Sequence, residues 1–194
     1  DFRQVHGESQ GAWEAFLNDL YRRGLEGQSL KLIVIDGGKG LLAALPLVYG
    51  GVPMQRCWAH KTRNVLNYVK RADQKRVKKD LQHISHARHL REAQKAAQRF
   101  MARWQSSYPK AVACLRQDLP ELLTFLQVKV SLPHSTLRTT NAIERRFREI
   151  RRRTRPMGTF SDRTSMDRIM FSVFTYENLK QGTSTPFLLL TQNT

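Results

Sequence analysis

Residues 139–155 read Thr-Thr-Asn-Ala-Ile-Glu-Arg-Arg-Phe-Arg-Glu-Ile-Arg-Arg-Arg-Thr-Arg. An early carboxylate, Glu144, opens a helix that is otherwise loaded with arginine, and nine arginines lie from Arg138 to Arg163. A surface that only grips phosphate has little use for that carboxylate. Chemistry that cuts phosphodiesters needs both kinds of group: cations for the backbone and carboxylates to hold metal ions. Helical spacing puts Glu144, Arg148, Arg151 and Arg155 on one stripe, beside a face of Ile143, Phe147 and Ile150 that is expected to be buried. Glu144 also has a structural alternative, because with Asn141 as N-cap it falls at N3 and completes a capping box. For the arginines the alternative is a solvated face. Repulsion among Arg151, Arg152 and Arg153 favours instead a polyanion that neutralises them.

A second carboxylate stands in a telling position. Asp36 ends the apolar run 30–35 and is followed by Gly37-Gly38-Lys39-Gly40. In open α/β sheets, ligand and metal groups gather where a strand ends, and glycines let a substrate backbone come close. An ordinary turn or an N-cap is the competing reading. The glycines lack the spacing of a P-loop. Cys57 and His60 have the C-x-x-H spacing of half a zinc site, but no second half has suitable spacing, so a structural zinc is not expected. His83, His86 and His89 recur every three residues, drift around a helix and read as surface groups. Trp58 and Trp104 could stack on bases, but core positions are the better reading.

The elements that must carry these residues follow from periodicity. Trp13, Phe16, Leu17 and Leu20 mark an amphipathic helix over 11–24. Residues 30–35 and 52–58 read as strands, with a helix over 39–48 that Pro46 should interrupt. Strand, helix, strand implies a parallel pair with a crossover. Residues 61–130 then turn helical, polar and basic. Val77, Leu81 and Ile84 mark one apolar stripe and Ala93, Ala97, Phe100 and Trp104 another. Pro109 and Pro120 are expected to break the stretch into separate helices. Residues 132–138 read as a loop and 163–179 as a last helix, with Ile169, Met170, Val173 and Phe174 inward. The tail from 182 reads as loosely ordered. The chain opens at Asp1 rather than Met, in residues that read as the end of a strand, which suggests further sequence upstream.

Composition agrees with the chemistry. The 194 residues carry a formal charge of +17 and 40% apolar residues, with a pI near 10.7. A polyanion, most often nucleic acid, is the partner such a balance favours. Two cysteines, Cys57 and Cys114, make no disulfide framework and point to a reducing cytosol. No signal peptide or membrane-spanning run is visible.

Four blocks, in order, resemble the Mutator-type family of bacterial insertion-sequence transposases. They are Trp13-x-x-Phe16-Leu17-x-x-Leu20-x-x-Arg23-Gly24-Leu25; Ile35-Asp36-Gly37-Gly38-Lys39-Gly40-Leu41; Gln55-Arg56-Cys57-Trp58-Ala59-His60-Lys61-x-Arg63-Asn64; and Thr139-Thr140-Asn141-x-x-Glu144, continuing to Arg152-x-x-Arg155-x-x-Gly158-x-Phe160. The resemblance implies an α/β, partial ribonuclease-H-like fold, mostly helical overall. It divides into a core part over 1–60 that lacks its first strands, an all-helical insertion over 61–132, a catalytic helix and closing helix over 133–180, and a tail over 181–194.

The same resemblance implies a DNA transposase with a DDE triad and two Mg²⁺ or Mn²⁺ ions. Asp36 matches the second acidic residue and Glu144 the third, both as metal ligands. Cys57, His60 and Asn141 lie in motifs near the active site. Lys61, Arg63, Arg148, Arg151, Arg152 and Arg155 are the DNA-binding candidates. The first triad Asp is expected upstream of Asp1, so this chain alone is expected to be inactive. Transposon-end and target DNA are the implied partners, bound by a homodimer or larger complex in the bacterial cytoplasm, at the nucleoid. The rival readings are a non-catalytic basic nucleic-acid-binding protein and an inactive transposase remnant.

Overall fold

The computed structural model describes residues 7–158 and 162–180, in two compact units, Asp1–Thr140 and Asn141–Thr194. In the first unit, α1 (Gln10–Arg22) is capped by Ser9, whose Oγ accepts the Ala12 N–H at 3.3 Å. Trp13, Phe16 and Leu17 turn inward at the expected spacing. Two strands, β1 (Ile33–Ile35) and β2 (Met54–Arg56), flank α2 (Lys39–Tyr49). They pair in parallel with Ile33 opposite Met54 and Ile35 opposite Arg56, so α2 is the expected crossover. Both strands are shorter than their apolar runs. A 3₁₀ turn (Gly27–Ser29) takes up the approach to β1, and Trp58 opens a helix instead of closing a strand.

Pro46 does not interrupt α2, contrary to expectation. Its ring lies on an exposed face, where the carbonyl that loses its donor can be hydrated. Leu17, Ile35, Ala44, Leu45, Tyr49 and Val52 form the core beneath the strands. The Tyr49 hydroxyl donates to the Leu25 carbonyl at 2.8 Å, which ties the end of α2 to the turn after α1.

The rest of this unit is helical: α3 (Trp58–Leu66), α4 (Gln74–Ser85), α5 (Leu90–Trp104), α6 (Pro109–Leu122), a 3₁₀ turn (Thr124–Leu126) and α7 (His134–Leu137). Their apolar stripes meet in a second core that includes Val77, Leu81, Ile84, Ala93, Ala97, Phe100 and Trp104, as their periodicity predicts. Trp58 and Trp104 are both core residues. Pro109 begins α6, whereas Pro120 lies inside it and does not break it. The carbonyl it deprives of a donor belongs to Arg116, on an exposed face where water can replace the lost bond. The expected loop over 132–138 contains the one-turn α7. It forms because Leu137 is buried and the Pro133 carbonyl accepts from Thr136 and Leu137 N–H.

Gln55 joins the two cores. It is fully buried on β2, and its amide donates to the carbonyls of Arg56 at 2.6 Å and Leu122 at 3.0 Å. Its oxygen accepts the Phe125 N–H at 2.8 Å. Trp58 Nε1 donates to the same Leu122 carbonyl at 2.8 Å.

The second unit contains α8 (Asn141–Thr154), a 3₁₀ turn (Arg155–Met157) and α9 (Arg163–Lys180). Helix α8 begins at Asn141 itself, one residue earlier than the N-cap reading places it. Only Ile150 of the expected apolar face is buried. Ile143 is 57% and Phe147 38% exposed. The facing helix meets Phe147 edge-on at Phe174, with centroids 5.8 Å apart, and does not blanket the stripe. On α9, Val173 is buried, and Ile169, Met170 and Phe174 are half-buried. The expected strand end at residues 1–5, Phe160 and the tail over 181–194 lie outside the described residues.

Candidate active site and basic surfaces

Asp36 follows β1 directly and Cys57 follows β2 directly. The strands are parallel and the Cys57 N–H donates to the Ile35 carbonyl at 2.7 Å, so both residues stand at the carboxyl ends of neighbouring strands. That is the expected location for a ligand-holding group. The Asp36 side chain is exposed, and its Oδ1 accepts the Gly38 N–H at 3.0 Å. This is the turn that the structural alternative foresaw. The contact engages one oxygen of the carboxylate.

Two glycines make this loop possible. Gly37 has φ +100°, a backbone conformation costly for other residues, and a Cβ there would collide with the Arg56 guanidinium. A Cβ on Gly40 would strike the Glu8 carbonyl, so the start of α2 can approach the start of α1 only with glycine at that position.

Arg56 is held from below. Its Nε donates to Glu121 at 2.7 Å and its Nη2 to Asp118 at 3.2 Å. Asp118 also pairs with the Lys61 ammonium, and Lys61 Nζ donates to the Cys114 carbonyl at 3.2 Å. Two cations and two carboxylates thus neutralise one another in a largely buried cluster, without which each charge would be expensive to desolvate. Lys61, one of the DNA-binding candidates, is 7% exposed and pairs with Asp118. Arg63, two residues on, is exposed.

Cys57 is buried, and its Sγ accepts from both the N–H and the hydroxyl of Thr140 at 3.4 Å. The Trp58 N–H donates to the Arg138 carbonyl at 2.9 Å. The start of α3, where Cys57 and His60 lie, is therefore laced to the segment that follows α7. Arg138 Nη1 donates to the Ser85 carbonyl at 2.8 Å, and burial lowers its pKa. His86 is pushed below its ordinary pKa by burial and then by Arg138, against a raising contact from the Gln82 carbonyl.

In the second unit, Asn141 and Glu144 occupy the first turn of α8. Arg148, Arg151, Arg152 and Arg155 are all exposed. Arg152 pairs with Glu149 at 3.0 Å, and the Arg151 Nε donates to the Phe147 carbonyl at 3.4 Å. Arg153 instead stacks over Tyr176 at 4.8 Å from the ring centroid.

Sequence reasoning missed the part played by Arg56, Asp118 and Glu121. Arg56 lies inside a recognised block, but nothing local reveals partners more than sixty residues away. Among the described residues, no helix is long and apolar enough to cross a membrane.

Comparison with known proteins agrees with the blocks read from the sequence. Residues 2–182 match the family model described as transposase, Mutator family. The chain is 44% identical, over 76% of its length, to the transposase for insertion sequence element IST2 of Acidithiobacillus ferrooxidans, of which the match covers 49%. It is 33% identical, over 90% of its length, to the transposase for insertion sequence element IS905 of Lactococcus lactis, covering 44% of that protein. It is 30% identical, over 86% of its length, to the transposase for insertion sequence element IS256 in transposon Tn4001 of Staphylococcus aureus, covering 42%. The chain thus spans about half the length of the curated relatives it matches.

Proposed function

The chain belongs to the Mutator family of transposases, and from that premise we propose that it acts in metal-dependent cleavage and strand transfer of transposon-end DNA. The observation that carries this reading is Asp36. It is an exposed carboxylate at the end of a parallel strand whose last residue, Ile35, is buried, with one oxygen pinned by Gly38 N–H and a glycine turn beside it. On this reading the β1–α2–β2 unit belongs to a ribonuclease-H-like sheet, and Asp36 and Glu144 are the second and third acidic residues of a DDE triad.

Carboxylate oxygens are hard donors that suit Mg²⁺ or Mn²⁺, so Asp36 and Glu144 fit such ions, whereas the buried Cys57 thiol does not. The ions would supply Lewis acidity and charge neutralisation at the scissile phosphate. In the proposed reaction water breaks one phosphodiester, leaving a 3′ hydroxyl and a 5′ phosphate, and that hydroxyl then attacks a target phosphodiester, joining to its 5′ phosphate and releasing the target's 3′ hydroxyl. The residues of this chain do the rest. Gly38 fixes the Asp36 carboxylate, Arg56 lies beneath the turn at Gly37, and Arg148, Arg151, Arg152 and Arg155 neutralise backbone phosphates. The partners so proposed are transposon-end and target DNA, bound by a dimer or larger assembly.

The test is Asp36→Asn and Glu144→Gln in the complete enzyme, assayed for end cleavage and for mobility shift. Both variants should lose cleavage and keep DNA binding. Cleavage that survives either substitution would sink the assignment. DNA processing indifferent to Mg²⁺ in the wild type would point to a binding protein.

A further inference from the structure

We propose that the groove between α4 and α5 is a second docking surface for the phosphate backbone of duplex DNA, separate in sequence from the arginines of α8. The inference rests on the DNA reading above and goes beyond it, because none of these residues belongs to the four family blocks.

Residues 74–104 carry nine Lys and Arg against two acids. Helix α5 holds Arg91, Lys95, Arg99 and Arg103 at successive steps of four, and α4 holds Lys75, Lys79 and His83 in the same way. Like charges four apart repel along a helix. Such rows are tolerated where a polyanion neutralises them. A groove of about 720 Å³ lies where part of each row meets, lined by Lys79 and His83 of α4, by His86 just past its end, and by Arg99 and Arg103 of α5.

Both acids in the groove are already occupied. Asp80 accepts from Trp104 Nε1 at 2.9 Å and from Arg103 at 3.2 Å. Glu92 accepts the Arg88 N–H at 2.8 Å at the start of α5. Among the described residues, Lys79 and Arg99 have no acidic partner. The apolar floor is only Ala96 and Phe100, too little to anchor the side chains of an acidic peptide. A repeating row of cations matches a repeating row of phosphates, and duplex DNA presents one.

The test is fluorescence anisotropy of a 30-base-pair duplex titrated with the full chain across a salt series. Lys79→Ala/Arg99→Ala is compared with Arg151→Ala/Arg152→Ala on α8. A charge-matched pair at exposed sites elsewhere, Lys31→Ala/Lys129→Ala, is the control. Arg103 is left intact because it holds Asp80, and circular dichroism melts confirm folding.

Loss of two phosphate contacts should flatten the slope of log K against log salt by about 1.8 and weaken binding on the order of thirtyfold at physiological salt. The control pair should leave the slope near wild type. A groove variant indistinguishable from the control overturns the proposal. If the α8 variant alone weakens binding, the groove falls while the DNA reading stands. If the wild-type chain shows no salt-dependent binding, both fall.

Discussion

The Arg56 guanidinium occupies the space that a side chain on Gly37 would need. The turn that presents Asp36 and the charge cluster beneath it are therefore one piece of structure. Gly37→Ala must give up the φ of +100° or displace Arg56 from Glu121 and Asp118. The expected cost is about 2 kcal/mol, from the left-handed backbone conformation alone. In the complete enzyme, cleavage should fall while DNA binding persists. Urea denaturation gives the first number, and an unchanged midpoint would show that the turn has another way to close.

Asp118 is the shared anion of Arg56 and Lys61. Asp118→Ala leaves Arg56 with Glu121 and takes from the buried Lys61 the carboxylate it pairs with. Breaking a buried pair from one side costs about 3–5 kcal/mol. The double variant Lys61→Met/Asp118→Leu should recover part of that loss, because it removes the ammonium along with its partner. A double variant no more stable than Asp118→Ala would mean that Arg56, rather than Lys61, dominates the penalty.

His86 makes the stability of the helical region depend on pH. Its Nδ1 lies 2.9 Å from the Ser85 hydroxyl and 3.1 Å from the Gln82 carbonyl, and burial and Arg138 both disfavour its charged form. The unfolded chain therefore binds this proton more readily than the folded one. The contribution to stability is complete above the ordinary histidine pKa of about 6.5 and is lost as pH falls through the lower folded value. Thermal melts at pH 7.5 and 5.5 should show a larger drop for the wild type than for His86→Gln. Equal drops would place the sensitivity elsewhere.

Gln55→Ala removes three hydrogen bonds at once and leaves the Phe125 N–H without its partner, while the Leu122 carbonyl keeps Trp58 Nε1. A buried group left unsatisfied costs about 1–3 kcal/mol, so a loss of about 2 kcal/mol is expected. The measurement is equilibrium unfolding. A loss under about 1 kcal/mol would imply that water reaches the site.

Much of this architecture is legible in the residues. The Trp13–Phe16–Leu17 spacing gives α1, and the β-branched run ending at Asp36 gives β1 and the position of its carboxylate. The stripe through Ala93, Ala97, Phe100 and Trp104 gives α5. These signals are local, and periodicity reports local burial well. What escaped depends on distant partners. Lys61 reads as one more surface cation until α6 brings Asp118 to it. Ile143 and Phe147 carry the helical period of a buried face, but period says only which residues share a side. Pro46 and Pro120 read as breaks because the rule for proline counts a lost hydrogen bond, and neither position suffers much from losing one. Asp36 and Glu144 stand out in the sequence as candidate carboxylates by residue type and place. The Arg56 support beneath Gly37 was not, since it joins positions far apart in the chain.

The Leu122 carbonyl receives both the Gln55 amide and the Trp58 indole. The helical stretch after α3 therefore cannot be handled as a removable cassette, even though its composition sets it apart from what precedes it. Cutting it out would strip β2 and the start of α3 of the acceptors and carboxylates that hold them. A shortened chain would then present Gln55, Arg56 and Trp58 to solvent at the strand ends where Asp36 stands. Exchange of the buried amides of β2 should accordingly keep pace with that of Phe125, as one cooperative block.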